Sequence, residues 1–368
     1  MRIMLGLFTA LAVVPLFFFY AGAVGSAGTL AISSNTVCGI SATTLPRTIY
    51  CTDIDESVAT TPYLVYPNVS FDSVSAGTDF FCGLKSSRKV FYCWNGNPVN
   101  RKRVYRGSWV ISDLTVGETQ VSAIDRSGNE IRWWRKAGLF PSSVLGDYSS
   151  LTSGNNFTCA ITTNGTMTCW GPLSNYTMST IVAGDSHMCG LDSSGLVICQ
   201  GSNSSAQCYA PTGSPYEYTG FALGLSHTCA IMQPNYTAVC WRNYGEAQLY
   251  QPLNGTAFEF LVAGGNLTCG LTTHTYSVLC WGSNWTDVSV RKLSLPMILP
   301  GICVAGGGDE CDCGTYPESQ RLCKGTGVIC QRCDFRKPIP PSPPPALAPI
   351  PSKSKKTSMT GWKLDWWN

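Results

Sequence analysis

Cysteine is the residue type in this chain whose number and spacing could do chemistry, and the chemistry is disulfide formation. The 368-residue sequence has 19 cysteines, 44% apolar residues and 13% charged residues. A globular chain with so many thiols is typical of proteins that fold in an oxidising compartment. We therefore expect most of these cysteines to be paired.

Most of the cysteines belong to a cassette that recurs along the chain. Its clearest copy has Gly264 five residues before Cys269 and continues, after a polar turn, to Cys280 and Trp281. The first cysteine position falls at 38, 82, 122, 159, 189, 229 and 269, in steps of 30 to 44 residues. Seven units of this length predict an all-β fold, a seven-bladed β-propeller with four strands per blade.

The two cysteines of each unit flank a predicted hairpin. Residues 158–161 and 167–170 are apolar runs joined through Asn164 and Gly165, a pair typical of a tight turn between antiparallel strands. Cysteines placed symmetrically about such a turn face each other, so we expect one disulfide per blade. The expected pairs are Cys38–Cys51, Cys82–Cys93, Cys159–Cys169, Cys189–Cys199, Cys229–Cys240 and Cys269–Cys280. In the third unit Ser122 and Arg132 stand at the two positions, so both cysteines are replaced together.

Two other architectures were weighed for the repeat. A sandwich of unrelated strands gives no reason for one cassette to recur, and metal ligation by the cysteines would need ligands converging from several units. The propeller is therefore the preferred prediction.

The two ends of the chain differ in composition from the repeats. Residues 1–23 have a basic start at Arg2, an apolar run and small residues at 21–23, the pattern of a signal peptide. We assign 24–300 to the propeller, 301–334 to a Cys-rich module, 335–352 to a Pro-rich linker and 353–368 to a tail unrelated to the repeats. After the signal peptide there is no apolar run of about twenty residues, so no membrane span is expected.

Six cysteines crowd the segment after the propeller. A module of about thirty residues cannot bury enough apolar surface by itself, which predicts three disulfides whose connectivity the sequence leaves open. Zinc is the alternative, because Cys330 and Cys333 have ligand spacing. These cysteines are Cys303, Cys311, Cys313, Cys323, Cys330 and Cys333. Cys208 is left over, as a free thiol, an intermolecular bridge or a sign of different pairing.

Asn-x-Ser/Thr sequons predict a glycosylated surface for a secreted chain. They occur at Asn68, Asn156, Asn164, Asn175, Asn203, Asn235, Asn254, Asn266 and Asn284. Asn164 and Asn175 lie in or near predicted turns. We expect Asn156 and Asn266, just before the first cysteine of their units, to be enclosed.

Candidates for catalysis are few, because the chain has only 3 histidines. His187 and His227 stand three residues after the cassette glycine, where Phe80, Phe157 and Leu267 stand in other units, which indicates a structural position. Tryptophans after the second cysteine could stack on sugars, but their fixed place in the repeat favours packing between blades. We expect no catalytic residue, no cofactor and no metal.

Basic residues are concentrated in the second and third units. Residues 85–136 contain eleven basic and four acidic side chains, an excess of seven, in a chain of net charge +3. Such a local excess attracts acidic molecules, although a solvated loop without a partner is the simpler interpretation. The candidate acidic-ligand patch is Arg101, Lys102, Arg103 and Arg106, assigned to a loop over 100–106.

The Gly-x4-Cys…Cys-Trp repeats, the Cys311-x-Cys313-Gly-x-Tyr316 motif and the Pro-rich stretch together resemble the ectodomain of plant Crinkly-type receptor-like kinases. The resemblance covers residues 30–351. It implies blades similar to those of the regulator of chromosome condensation and a module similar to a tumour-necrosis-factor-receptor repeat. In that family a transmembrane helix and a serine/threonine kinase domain follow the linker, whereas this sequence contains no Gly-rich phosphate loop and no His-Arg-Asp or Asp-Phe-Gly motif.

The resemblance implies an extracellular ligand-binding ectodomain in cell-surface signalling, or a soluble form of it without a kinase. It further implies a location outside the cell or on the outer face of the plasma membrane. Expected partners are an extracellular peptide or protein, an acidic cell-wall polysaccharide, or other receptor chains, and not nucleic acid. Guanine-nucleotide exchange is the alternative function, which secretion opposes because small GTPases are intracellular.

Overall fold

The computed structural model describes residues 28–54, 61–95, 101–134, 138, 140–243, 247–282, 290–306, 311 and 313–331. The chain divides into two units, 1–335 and 336–368, and all of these residues lie in the first. The predicted signal peptide, linker and tail lie outside the described residues.

Seven antiparallel sheets of three or four strands follow one another along the chain, each built from consecutive strands. The first four comprise Leu30–Ser33 (β1), Thr36–Ile40 (β2), Ile49–Asp53 (β3) and Tyr63–Leu64 (β4); Phe71–Ala76 (β5), Phe81–Lys85 (β6), Val90–Trp94 (β7) and Lys102–Arg106 (β8); Ile111–Val116 (β9), Val121–Asp125 (β10), Glu130–Trp134 (β11) and Ser143–Leu145 (β12); and Tyr148–Ser153 (β13), Thr158–Thr162 (β14) and Met167–Trp170 (β15).

The remaining sheets complete the propeller, and a smaller module follows them. They comprise Thr180–Ala183 (β16), His187–Leu191 (β17) and Val197–Gly201 (β18); Tyr218–Leu223 (β19), Thr228–Met232 (β20), Thr237–Asn243 (β21) and Ala247–Tyr250 (β22); and Phe258–Gly264 (β23), Leu267–Thr272 (β24), Val278–Gly282 (β25) and Arg291–Lys292 (β26). The module has Cys303–Val304 (β27), a one-turn helix at Ser319–Leu322 (α1) and Val328–Ile329 (β28).

The first strands of the seven sheets form a closed ring. Each of them contacts the first strand of the next sheet, and β23 in the seventh sheet contacts β1 in the first. The sheets are therefore blades arranged around an axis, which confirms the predicted seven-bladed propeller.

The cassette glycine is required by the close approach of neighbouring blades. A Cβ on Gly77 would lie 2.1 Å from the carbonyl oxygen of Gly117, and one on Gly117 would lie 2.2 Å from that of Gly154. A Cβ on Gly154 would likewise lie 2.5 Å from the Gly184 carbonyl oxygen. The repeated glycine therefore lets the backbone at the end of each first strand touch the next blade.

Hydroxyl groups on the first strands add hydrogen bonds between blades. The Ser75 hydroxyl oxygen accepts from the Val116 amide at 3.2 Å, and the Thr152 hydroxyl oxygen accepts from the Ala183 amide at 2.9 Å. These bonds satisfy backbone donors that a sheet ladder within one blade leaves unpaired.

The apolar core is divided among the interfaces between blades. One cluster joins Phe91 and Leu84 of the second blade to Ile111 and Leu114 of the third. Because both faces of a blade pack against neighbours, most strand residues are buried rather than alternating between core and solvent.

Residues 297–299 close the ring between the last blade and the first. The Leu299 amide donates to the Ile40 carbonyl at 3.0 Å, and the Ile298 amide donates to the Tyr276 carbonyl at 3.1 Å. The chain therefore bonds to both end blades just before it enters the Cys-rich module.

The third blade requires a correction to the sequence alignment. Ser122 pairs across the hairpin with Trp133, and not with Arg132. The turn is one residue longer than assumed, so the partners are as far apart in sequence as Cys82 and Cys93, which are 11 residues apart. Trp133 is 5% exposed and occupies the place of the second cysteine.

Candidate functional site

Six cysteine pairs form disulfides within single blades. The bonded pairs are Cys38–Cys51, Cys82–Cys93, Cys159–Cys169, Cys189–Cys199, Cys229–Cys240 and Cys269–Cys280. In each pair the two cysteines are directly opposite in the register of the second and third strands, with Cα atoms 3.9 to 4.1 Å apart. This is close to the separation of a non-hydrogen-bonded antiparallel pair.

Disulfides also join cysteines of the module. Cys303 is bonded to Cys323 and Cys311 to Cys330, and Cys313 is also disulfide-bonded. Cys333 lies outside the described residues. Because Cys330 is already bonded to Cys311, it is not free to bind zinc as the alternative interpretation required.

Cys208 carries a free thiol in the segment after the fifth blade. The side chain is half-buried, and its Sγ lies 3.3 Å from the Ser202 carbonyl oxygen. Burial raises the pKa of the thiol to about 11. The thiol is therefore protonated and unreactive at neutral pH.

Three of the four tryptophans that follow the second cysteine are buried packing residues, and the fourth, Trp170, is partly exposed. Trp94, Trp241 and Trp281 are at most 3% exposed. Trp94 stacks on Phe81 with ring centroids 5.7 Å apart, and the Trp241 indole donates to the Gln207 carbonyl at 3.0 Å. None of these three rings offers a free face to a sugar.

The two cassette histidines link adjacent blades. His187 Nε2 lies 2.9 Å from the Thr228 hydroxyl oxygen in the sixth blade, and His227 Nε2 lies 2.7 Å from the Thr268 hydroxyl oxygen in the seventh. Since Thr228 donates its proton to the Gln207 carbonyl at 2.8 Å, His187 Nε2 is the donor to Thr228. Both rings are buried, and both Nδ1 atoms have no hydrogen-bond partner among the described residues.

Burial controls the protonation of both histidines. Desolvation lowers the pKa of His187 to about 3, with a smaller contribution from His227. Desolvation, and then Arg242, lowers the pKa of His227 to about 4. Both are neutral structural residues at physiological pH, in a position that glutamine fills in the third blade, where Gln120 Nε2 donates to the Gly154 carbonyl at 2.9 Å.

The described sequon asparagines are all exposed. They are Asn68, Asn156, Asn164, Asn175, Asn203, Asn235, Asn254 and Asn266, while Asn284 lies outside the described residues. The expectation that Asn156 and Asn266 are enclosed is wrong. Both lie in the turn between the first and second strands of a blade, where the chain leaves the sheet and reaches solvent.

Several basic residues of blades two and three are neutralised by neighbouring acids. Arg88 pairs with Asp72 at 3.2 Å, and Arg126 pairs with Asp113 at 2.9 Å. Arg132 contacts both Asp125 and Glu130. The structure therefore removes these three arginines from the free positive charge counted in the sequence, while Arg135 and Lys136 lie outside the described residues.

The remaining exposed basic side chains lie on and beside the outermost strand of blade two, and we call them the basic strip. Its members are Lys89, Arg101, Lys102, Arg103 and Arg106, all exposed. Residues 102–106 were predicted to be part of a loop, which is wrong: they form β8, the outermost strand of blade two, paired with β7. The buried Tyr105 ring stacks on Phe91 and holds this segment in the sheet. Lys85 is only partly exposed.

The module contacts the propeller through Tyr316, the tyrosine of the Cys-x-Cys-Gly-x-Tyr motif, and through partners that the sequence did not single out. The Tyr316 hydroxyl donates to Glu259 at 2.7 Å and lies 3.2 Å from the Tyr276 hydroxyl oxygen. Burial, followed by these two contacts, raises the pKa of Tyr316. Leu322 and Ile329 of the module join the core cluster of the first and last blades.

A buried arginine makes a second polar contact with the module. Arg47 in the first blade donates to the Thr326 hydroxyl oxygen at 3.1 Å and pairs with Asp72 of the second blade at 3.4 Å. Arg47 is 7% exposed, so its charge depends on these partners. Tyr316 belongs to the Cys311-x-Cys313-Gly-x-Tyr316 motif, whereas no motif marks its partner Glu259 or the Arg47–Thr326 pair.

The described residues contain neither a membrane-spanning helix nor a cluster of metal ligands. None of their helices has the length and apolar character needed to cross a bilayer. They also contain no group of three or more histidine, cysteine or acidic side chains placed to hold a metal ion.

The fold and the disulfides define a class: a stapled seven-bladed propeller carrying a Cys-rich module. Residues 148–176 match the regulator of chromosome condensation (RCC1) repeat. A serine/threonine-protein kinase-like protein of Arabidopsis thaliana, CCR3, is 34% identical over 350 residues, which cover 89% of this chain and 42% of that protein.

Solved structures show the same fold. The entire ectodomain of the Physcomitrella patens receptor kinase CR4 superposes with a TM-score of 0.58 and 24% identity, over 84% of this chain and 89% of that one. The CRINKLY WD40 ectodomain of the Arabidopsis thaliana receptor kinase ACR4 gives 0.55 and 22%, over 73% of this chain and 100% of that one. These comparisons confirm the predicted resemblance: the chain has the architecture of a Crinkly-type receptor-kinase ectodomain.

Proposed function

We propose that this chain supplies the extracellular ligand-binding part of a plant cell-surface receptor, or a soluble form of it. The observation that carries the proposal is the similarity to CCR3, which covers the propeller and the module together. The chain spans 42% of the length of CCR3, so kinase activity enters only as a property of such relatives.

The chemistry of the described residues fits an extracellular binding protein better than an enzyme. Disulfides within blades stabilise a rigid scaffold. Binding residues on such scaffolds lie on exposed turns and outer strands. The two buried histidines are occupied in structural hydrogen bonds between blades.

Location is the first part of the proposal to test. The full chain with a small epitope tag inserted in the exposed turn at Asn254 would be expressed in plant cells. We expect the protein to lose mass on endoglycosidase treatment and to be either recovered in the medium or labelled on intact cells by a membrane-impermeant biotin reagent. An unglycosylated protein found only in the cytosol would contradict the proposal.

A further inference from the structure

The basic strip is a group of five exposed cations close together in the sequence and in the second blade. Within the described residues none of its five members takes part in an ion pair, whereas Arg88, Arg126 and Arg132 beside it do. Asp72, Asp113, Asp125 and Glu130 of blades two and three are already paired with arginines outside the strip, so these four acids do not cancel its positive potential.

Two segments of the chain contribute to the strip at the outer edge of blade two. Val90 pairs with Arg106 in the register of β7 and β8, and the Gly107 amide donates to the Lys89 carbonyl at 3.1 Å. Lys89 therefore lies beside Arg106 at one end of β8, while Arg101 and Lys102 lie at the other end. A strand of this length spans roughly 13 to 17 Å, enough for about four or five residues of an extended ligand.

A structural role could also explain charges on an outermost strand. Lysine and arginine on edge strands discourage pairing with other chains, and the register shift at Phe91–Tyr92 disturbs the edge further. That role concerns charges on the edge strand itself. It does not account for Lys89 and Arg101, which lie outside β8 and are also exposed.

The aromatic groups near the strip argue against a carbohydrate ligand. The Trp109 ring lies parallel to Tyr105, with centroids 5.3 Å apart, and the Arg132 guanidinium carbon lies 3.6 Å from its centroid. Arg101 lies over the Tyr66 ring at 5.0 Å. These rings are engaged by the protein's own groups, so sugars would find no free aromatic face to stack on.

Sequons are sparse around the strip. None occurs between Asn68 and Asn156, whereas the sequence from Asn156 onward carries eight. Asn68 lies two residues from Tyr66, the ring that Arg101 contacts, so the one predicted glycan near the strip lies at its Arg101 end. Three of the five strip cations are arginines, whose guanidinium groups match carboxylates in a bidentate fashion.

We propose that the basic strip is a docking surface for an extended acidic peptide segment, held by its carboxylates. The proposal rests on the proposed function, because it names the ligand class that the extracellular part would bind. Binding through exposed charges gives fast, salt-dependent association more than high affinity.

The test uses the full chain and a fluorescein-labelled dodecapeptide of alternating glutamate and serine, with a glutamine and serine peptide as the neutral control probe. Fluorescence anisotropy should show binding of the acidic probe only, weakening steeply with added salt because exposed charges are screened beyond roughly 10 Å at 0.1 M. The double variant Arg103→Glu/Arg106→Glu should weaken binding about tenfold or more.

A matched variant distinguishes the effect of the strip on binding from the effect of the molecule's net charge. Lys292→Glu/Lys324→Glu changes the net charge equally at two exposed lysines of the seventh blade and the module, and it should leave binding within about twofold of wild type. Equal loss in both variants, or no binding of the acidic peptide by the wild type, would overturn the proposal.

Binding of an oligogalacturonate that depends on the strip, with no peptide binding, would also overturn it, in favour of a polysaccharide. An unchanged melting temperature shows that each variant is folded. Absence of strip-dependent peptide binding would not affect the proposed extracellular location, which glycosylation and surface labelling test. The docking proposal and the proposed function can therefore fail independently.

Discussion

At the scale of single residues, the position three residues after the cassette glycine holds different side chains in different blades. His187 and Gln120 each donate a hydrogen bond to the next blade, His227 shares one with Thr268 of the next blade, and Phe157 fills the same place with an apolar ring. What the position requires is volume that packs beneath the cassette glycine. The hydrogen bond is an addition that neutral histidine supplies without burying a charge.

The histidines make stability depend on pH. Their folded-state pKa values of about 3 and about 4 lie below the ordinary value of 6.5, so between these limits the unfolded chain binds more protons. The contribution of the two neutral histidines to stability is therefore fully present above pH 6.5. It falls as the pH decreases, by up to about 1.4 kcal/mol per pH unit for each histidine.

We expect His187→Gln to reduce the steepness of this decline by about one proton, because glutamine does not titrate and already fills the equivalent position in the third blade. Urea unfolding at pH 7, 6 and 5 measures the slope. His274→Gln, in an exposed turn, serves as the control. Equal slopes for wild type and His187→Gln would show that the buried ring does not set the pH dependence.

At the scale of the blade, the disulfide joins the second and third strands through a directly opposed pair of residues. Each bridge closes a loop of only 10 to 13 residues, so it restricts the unfolded chain moderately. The third blade shows the alternative: Trp133 fills the space of a cysteine and stacks on Phe140, with centroids 6.4 Å apart.

Removing one staple should therefore weaken the fold without abolishing it. We expect Cys159→Ala/Cys169→Ala to lower the free energy of unfolding by about 2 to 3 kcal/mol. The five other blade disulfides should persist in a non-reducing peptide map. Cys208→Ser, which removes a thiol outside the disulfides, should leave that map unchanged. Bridges that join different blades in the wild-type map would contradict the structure.

At the scale of the whole molecule, the Cys-rich module packs against the propeller and belongs to the same compact unit. Its apolar residues enter the core shared by the first and last blades, at the place where residues 297–299 close the ring. The Tyr316–Glu259 hydrogen bond and the Arg47–Thr326 hydrogen bond fix its orientation. A partner bound to the module would therefore be held at a defined angle to the propeller.

Glu259→Gln should loosen this docking, because a hydrogen bond to a charged acceptor contributes roughly 1.5 to 3 kcal/mol. We expect faster hydrogen exchange at module amides such as Tyr316, which donates to the Ile329 carbonyl at 2.7 Å, with little change in blades two to five. Tyr316→Phe should act in the same direction. Tyr209→Phe, at a tyrosine that is 58% exposed, is the matched control. If Glu259→Gln and Tyr209→Phe had the same exchange rates, the contact would not hold the module.

The sequence by itself determined the repeat, the number of blades and the expected cysteine partners. It could do so because cysteine pairing and hairpin symmetry are local, and because the cassette glycine marks each close approach to the next blade. The tertiary structure alone decided which charges are neutralised, since Arg88 and Arg126 pair with acids on other strands, whereas Arg103 has no ion pair within the described residues. It also decided that Asn156 and Asn266 reach solvent, and that Tyr316 meets Glu259 across 57 residues. Those outcomes depend on how distant segments pack, which spacing along the chain does not record.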